Sequence, residues 1–519
     1  MKATDLARVR ATLWAAADEL RANSKLTPVQ YRNPVLGLVF LAYADYRFEA
    51  VRADVEQHAT ARNPVTAADY KARSVLYVPD ESRLSHLVAL PEGANIGKAV
   101  DGAIKAIEAA NPELTDILPR GYQKLEPATL IELLRLFAPL PTQLEGDAFG
   151  FIYEDFLSNF ASQEGKGGGE YFTPYSIVRL IVEILEPFEG RVFDPACGSG
   201  GMFVQCAKFV ERHVNGGGSA SRRLSVFGTE KTEDTVPLAK MNLALHGLSG
   251  DIRQANSYYE DPHHAVNQFD FVMANPPFNV DKIKKDQLAS PARFPFGLPK
   301  ADNGNFLWVQ QFYAALNDTG RAGFVMANSA ADAGHSEKEI RRQLIESGAV
   351  DVMVAIGPNF FYTVTLPVTL WFLDKAKVGT PREDTVLFID ARDIYRQIDR
   401  AHRDFLPEQI EFLANLVRLY RGEDVETEAG SEQLLAENFP DGSYVDVAGL
   451  CRVATRAEIE AQGYSLNPGR YTGTAATEED DEDFHEKLTT LYAEFTRLSD
   501  EADTLRTKVD AAIQGILRP

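Results

Sequence analysis

Residues 191–204 read RVFDPACGSGGMFV. An apolar run closes on Asp194, glycines follow at 198, 200 and 201, and an apolar helix opens at about Met202. Strand, tight glycine turn and helix make the repeating unit of an α/β sheet. Glycine lets a ligand approach the backbone closely, and the helix N-terminus favours negative charge. The turn is not a phosphate loop, because no Lys-Ser/Thr pair follows the glycines, nor is it the GxGxxG of dinucleotide folds. A carboxylate just before the turn repels a pyrophosphate and suits an ammonium group.

Around this unit, short β-rich runs alternate with helical segments from about 170 to 390: LSVFGTE (224–230), FDFVMAN (269–275), AGFVMAN (322–328), VDVMVAI (350–356), VTLWFLD (368–374) and VLFID (386–390). Near-continuous apolar strands separated by helices predict a mostly parallel sheet covered on both faces. Ligands in such sheets bind at the carboxyl ends of the strands. Residues 1 to about 150 instead carry apolar positions at helical spacing, including Leu13, Leu20, the run 35–43 and IELLRLFAPL at 131–140. After about 390 the chain becomes helical and acidic. EEDDED (478–483) reads as a solvated linker. Beyond it Phe484, Leu488, Leu491, Phe495, Leu498, Ala502, Leu505, Val509 and Ile513 alternate steps of 4 and 3, a heptad seam suited to pairing with another helix.

The 519 residues suffice for two or three domains, and 45% hydrophobic with 25% charged content is that of an ordinary globular protein. No apolar run approaches the ~20 residues that span a bilayer, and the N-terminal MKATDLARVRATLW is too charged for a signal peptide. Three cysteines (Cys197, Cys206, Cys451) make neither a disulfide framework nor a zinc cluster. A cytoplasmic protein without structural metal is expected. The net charge of −22 has the wrong sign for gripping DNA over the whole surface. Any contact with nucleic acid must use a local basic surface or one supplied by a partner.

Two acids frame a ligand. The strand after the glycine turn ends in Glu230, where a carboxylate can accept two ribose hydroxyls. A ligand with both an amino acid and a ribose fits Asp194, the glycine turn and Glu230 together, and S-adenosylmethionine is such a ligand. Upstream, GKGGGEYFTPYSIVRLIVEIL (165–185) opens with glycines and caps a helix with Thr173 and Pro174. Tyr171 and Phe172 there offer an aromatic wall for a flat ligand.

The strand 269–275 ends in Asn275-Pro276-Pro277-Phe278. An exocyclic amino group on an aromatic base is a poor nucleophile, because its lone pair is delocalised into the ring. Accepting hydrogen bonds from both of its N–H groups favours tetrahedral nitrogen. The Asn275 carboxamide and the Pro276 carbonyl, aimed by the rigid Pro-Pro pair, supply two acceptors. Phe278 supplies a stacking face.

These parts, in this order, resemble the modification subunit of type I restriction–modification systems, the N6-adenine DNA methyltransferases. The likeness rests on GLVFLAYAD, EYFTP, DPACGSGGM, the acid in GTE, NPPF, LPEQIEFLANLVRLYRGE and GYSLNPGRY. It implies a Rossmann-like class I methyltransferase sheet within an α/β fold. It implies an N-terminal helical domain (1–150), a catalytic domain (151–395), a helical extension (396–475) and an acidic linker with a partner-docking helix (476–519). It implies a cofactor pocket of Glu170, Tyr171, Phe172, Thr173, Pro174, Tyr175, Asp194, Gly198, Ser199, Gly200, Gly201 and Glu230. Asn256, in IRQANSYYED, stands where the family often has an acid beside the cofactor adenine. Residues 275–278 would hold an adenine flipped from double-stranded DNA, since a paired and stacked amino group is out of reach. In this family a specificity subunit reads DNA between two modification subunits, and a restriction subunit cleaves. Lys282, Lys284, Lys285, Arg293 and Lys300 are local candidates for phosphate contact. Other readings remain open on the residues alone: a stand-alone adenine-N6 or cytosine-N4 enzyme, an RNA or protein amino-group methyltransferase, and a non-catalytic scaffold.

Overall fold

A computed structural model of the chain describes residues 28–57, 64–138, 173–214, 220–288, 290–300, 304–361, 366–400 and 402–474, with isolated positions between 492 and 506. The chain forms two compact units, Met1–Thr472 and Gly473–Pro519. Leu13, Leu20, Glu170, Tyr171, Phe172 and the acidic run 478–483 lie outside the described residues, as does most of the heptad seam. Among the seam positions that are described, Leu505 is 61% exposed.

The helical region begins with α1 (Pro28–Gln57). Its run from Val35 to Tyr43 is apolar around the whole circumference apart from Gly37, and every hydrophobic side chain in it is fully buried. Such a helix belongs inside a bundle. The Tyr122 hydroxyl donates to the Pro34 carbonyl at 3.0 Å. A Cβ on Gly37 would meet that hydroxyl at 2.1 Å, so glycine is what admits the tyrosine. Helices α2 (Ile96–Ala110) and α3 (Pro127–Phe137) pack in the same core; Asn95 caps α2 and Pro127 opens α3. Leu238, Met241, Ala244 and Leu245 share this core. They belong to a helix that covers the sheet, so the bundle is seated on the sheet domain.

Among the described residues the sheet has nine strands in the order β11-β8-β6-β7-β5-β4-β1-β2-β3. In chain order these are β1 (Gly190–Asp194), β2 (Leu224–Glu230), β3 (Gly250–Gln254), β4 (Phe269–Ala274), β5 (Leu316–Ala327), β6 (Val350–Ile356), β7 (Val368–Asp374), β8 (Thr385–Asp390) and β11 (Cys451–Thr455). A separate hairpin pairs β9 (Arg396–Gln397) with β10 (Arg403–Asp404). Strands β1 to β5 run parallel to their neighbours in that half, and β6 is parallel to β8. β7 is antiparallel to both β5 and β6. The mostly parallel sheet expected from the apolar runs is therefore mixed. The cause is the connection 357–367, which is too short for a crossover helix, so the chain must return antiparallel. Strand order reverses between β1 and β4, which opens a crevice at the carboxyl ends there.

Helices cover both faces: α4 (Tyr175–Leu185), α5 (Gly201–His213), α6 (Thr235–Leu245), α7 (Asn305–Ala315), α8 (His335–Glu346) and α9 (Pro407–Arg421). Alternate strand residues feed the two cores, with Met273 and Val325 on one side and Val272, Ala274, Phe324 and Trp371 on the other. Each such fully buried large side chain contributes about 1.5–3 kcal/mol of burial free energy. The stretch after 396, expected to be helical, also returns β11 to the sheet edge beside β8.

Candidate functional site

β1 carries Asp194 to the carboxyl edge, where the side chain is buried and accepts the Ala196 N–H at 2.9 Å. The turn that follows needs left-handed backbone at Gly198 (φ 52°) and Gly200 (φ 79°), which glycine adopts without strain. Asn242 of α6 pins the turn by donating to the Ser199 carbonyl at 2.9 Å. A Cβ on Gly198 or Gly201 would meet no atom within 4 Å, so space lies open above both. β2 brings Glu230 to the same place: it accepts from Gly198 N–H at 3.1 Å and from Thr232 N–H at 2.7 Å. Burial pushes the Asp194 carboxyl up to about 8, and the charge of Glu230 adds to the rise. Burial also holds the Cys197 thiol well above its usual range, so it is an inert packing residue.

β4 ends at Ala274, and the loop after it is held from α7. Asn279 has φ 54°. Its backbone N–H donates to Asn305 Oδ1 at 2.8 Å, and Asn305 Nδ2 donates to Asn279 Oδ1 at 2.9 Å. The Gly304 N–H donates to the Val280 carbonyl at 2.9 Å. A Cβ on Gly304 would meet Tyr258 Oη at 2.4 Å.

Two cavities flank this loop. The larger, of about 620 Å³, lies over the ends of β1 to β4 and is lined by Pro195, Ala196, Gly198, Glu230, Asn256, Asn275, Pro277 and Phe278 among others. That volume suits a cofactor-sized ligand. The smaller, of about 260 Å³, lies at the end of β5 and the start of β7 and is bounded by Phe278, Asn279, Asn328, Phe361 and Val368 among others. Phe278 and Asn279 are walls of both.

The sequence matches the N-6 DNA Methylase family over residues 144–480 and the HsdM N-terminal domain family over residues 9–137. It is 35% identical to a type I restriction enzyme methylase subunit (MjaIX) of Methanocaldococcus jannaschii, over 97% of this chain and 90% of that one. The chain belongs to the N-6 DNA methylase family. It is a type I methylase subunit, an enzyme that methylates adenine at N6 in DNA. A second relative, the HindI methylase subunit of Haemophilus influenzae, is 37% identical over 77% of this chain and 88% of that one. The fold is shared with the type I methyltransferase subunit of Streptococcus thermophilus, with a TM-score of 0.66 at 21% identity over 90% of this chain and 99% of that one.

Within this methylase the expected residues fall into groups. Gly198, Glu230, Asn256, Asn275, Pro277 and Phe278 line the larger cavity together. Asp194, Gly200 and Pro276 are buried, and Ser199 and Gly201 are half-buried. Thr173, Pro174 and Tyr175 stand at the start of α4, with Lys208 Nζ 5.5 Å from the Tyr175 ring, and are not among the lining residues. Asn256 sits at the cavity wall, but its Oδ1 already accepts the Tyr258 N–H at 3.2 Å.

Sequence reading missed Tyr258, Trp308 and Asn305. Tyr258 and Trp308 line the larger cavity with their rings 4.7 Å apart. The available signal was the aromatic-rich NFLWVQQFY following the NPPF loop. Arg293, expected at the phosphate-contacting surface, is enclosed instead. It is buried, not a phosphate contact, and donates to the carbonyls of Glu260 and Ser257 and to Gln311 Oε1. Lys285 is tied to the carbonyls of Pro299 and Lys300. Lys282, Lys284 and Lys300 are exposed. No described helix is long and apolar enough to cross a membrane.

Proposed function

We propose that S-adenosylmethionine fills the larger cavity, that an adenine flipped from double-stranded DNA fills the smaller, and that residues 275–278 stand between them. When bound, S-adenosylmethionine supplies an electrophilic methyl on a sulfonium that departs as a neutral thioether. Asp194 supplies negative charge beneath the glycine turn for an ammonium group, Glu230 accepts ribose hydroxyls, and the backbone at Gly198, Ser199, Gly200 and Gly201 admits the ligand closely. Asn256 borders its adenine, and by analogy with the family Glu170, Tyr171, Phe172, Thr173, Pro174 and Tyr175 contribute to holding the cofactor. Asn275 Oδ1 and the Pro276 carbonyl accept the two N6 hydrogens and free the nitrogen lone pair from the ring. The surplus proton leaves to water, so no base with a shifted pKa is required. Phe278 stacks on the base.

The observation that carries this reading is the place of Phe278 as a wall of both cavities. A shared wall at the end of β4 is where donor and acceptor can meet in a near-attack geometry. Equilibrium binding and single-turnover methylation of host DNA test it. Asn275→Ala is expected to bind S-adenosylmethionine normally and transfer nothing, whereas Glu230→Gln loses cofactor affinity. Normal transfer by Asn275→Ala overturns the assignment.

The partners proposed are a specificity subunit, with two copies of this chain to each, and a restriction subunit in the full complex. The net charge of −22 favours a partner-supplied grip on DNA. Residues 1–150, 151–395 and 396–475 serve as helical, catalytic and extension regions, and 476–519 as the docking tail. The exposure of Leu505, a seam position, favours that last role. A cytoplasmic location accompanies this reading.

A further inference from the structure

Asn328, the residue after β5, lines the smaller cavity together with Phe278. The buried Thr369 hydroxyl, at the start of β7, donates to Asn328 Oδ1 at 2.8 Å. That bond orients the amide: its oxygen accepts from Thr369, and its Nδ2 donor makes no hydrogen bond among the described residues. The turn that carries it, Asn328–Asp332, is braced by the C-terminal GYSLNPGRY segment. Leu466 N–H donates to the Ala331 carbonyl at 2.9 Å, Asn467 Nδ2 to Asp332 Oδ2 at 3.1 Å, and Arg470 lies 3.2 Å from Asp332 Oδ1. Arg341, itself buried, donates to the carbonyls of Ala330, Ala333 and Tyr464, joining turn to brace.

The chemistry of the occupant decides what such a donor is for. With the N6 hydrogens of adenine taken by Asn275 and Pro276, the base's remaining edge atoms are acceptors, the ring nitrogens N1, N3 and N7. Phe278, Phe361, Leu366, Pro367 and Val368 offer them no polar side chain; Asn279 is engaged with Asn305, which leaves Asn328 and the exposed Ser329 as the other polar side chains of the wall. We propose that Asn328 Nδ2 donates a hydrogen bond to a ring nitrogen of the flipped adenine, with Thr369 as the positioning residue that sets the amide's orientation. This rests on the reading of the smaller cavity as the base site. A donor at a ring nitrogen holds the base in register for transfer, and it rejects a base presenting N–H there, because two donors would face each other.

The test uses the methylase assembled with its specificity subunit and duplexes carrying the host's methylated motif. The target adenine is replaced in turn by 1-deaza-, 3-deaza- and 7-deazaadenine, and kcat/KM is measured for wild type, Asn328→Ala, Thr369→Val and Asn275→Ala. Wild type is expected to lose about tenfold or more on one analogue. Asn328→Ala is expected to lose as much on ordinary DNA and nothing further on that analogue, with cofactor affinity unchanged. Thr369→Val, which keeps the shape without the hydroxyl, is expected to show a smaller loss of the same pattern. Equal sensitivity of Asn328→Ala and wild type to every analogue overturns the proposal. If Asn275→Ala is inactive while Asn328→Ala is fully active, the clamp stands and only the Asn328 assignment falls; if Asn275→Ala is also fully active, the base-site reading falls and takes the proposal with it.

Discussion

Asn279 and Asn305 hold each other by a reciprocal pair of hydrogen bonds, 2.8 Å and 2.9 Å long, across the gap between the NPPF loop and the first residue of α7. The pair fixes a left-handed turn just after Phe278, where an unconstrained loop would move. Asn305→Ala should therefore lower kcat about tenfold or more, because small misplacements of a reacting group are costly, while the cofactor dissociation constant stays put. Losing these two part-buried hydrogen bonds also costs about 1 kcal/mol of stability. Stopped methylation with unchanged melting would contradict the second part; an unchanged kcat would contradict the first.

Asp194 gives the site a pH signature. Its carboxyl is raised to about 8 in the folded chain. The unfolded chain releases the same proton near pH 4, so the contribution of this group to stability falls as pH rises from about 4 to about 8. A ligand ammonium favours the charged carboxylate, so cofactor binding near neutral pH should release a proton and tighten by up to tenfold per pH unit below about 8. Calorimetry in buffers of different ionisation enthalpy measures that proton. Asp194→Asn should abolish both the release and the slope.

Arg293 and Lys284 are close in sequence and opposite in environment. Arg293 is buried with three hydrogen-bond acceptors around it, so Arg293→Ala should destabilise the fold by several kcal/mol. Lys284 is exposed beyond the NPPF loop. Lys284→Ala should leave melting unchanged and reduce the salt slope of DNA binding by the assembled complex by about 1. The opposite assignment of the two effects would remove the loop from the DNA face.

Deleting residues 484–519 should leave the cofactor affinity of Met1–Thr472, a compact unit by itself, unchanged. Co-purification with the specificity subunit should be lost. Retained co-purification would move docking to another surface.

The catalytic sheet was legible because its signals are local. Apolar runs closing on Asp194, Glu230 and Asn275 mark strand ends by chemistry that any βα unit must obey. The antiparallel β7 was less legible, since its composition, VTLWFLD, is that of any buried strand and only the short 357–367 connection reveals its direction. Asn305, Asn328 and Thr369 could not be singled out. Their roles depend on partners 26 and 41 positions away, and single Asn and Thr residues carry no spacing signal. Arg293 misled for the converse reason: an arginine in a polar loop looks solvated until carbonyls from elsewhere enclose it.

The most direct measurement is single-molecule sequencing of host DNA from cells carrying the intact gene and from cells carrying only its Asn275→Ala allele. N6-methyladenine at one bipartite motif is expected in the first and its loss in the second. Unchanged N6-methyladenine in the Asn275→Ala cells, or a loss confined to N4-methylcytosine, would contradict that expectation.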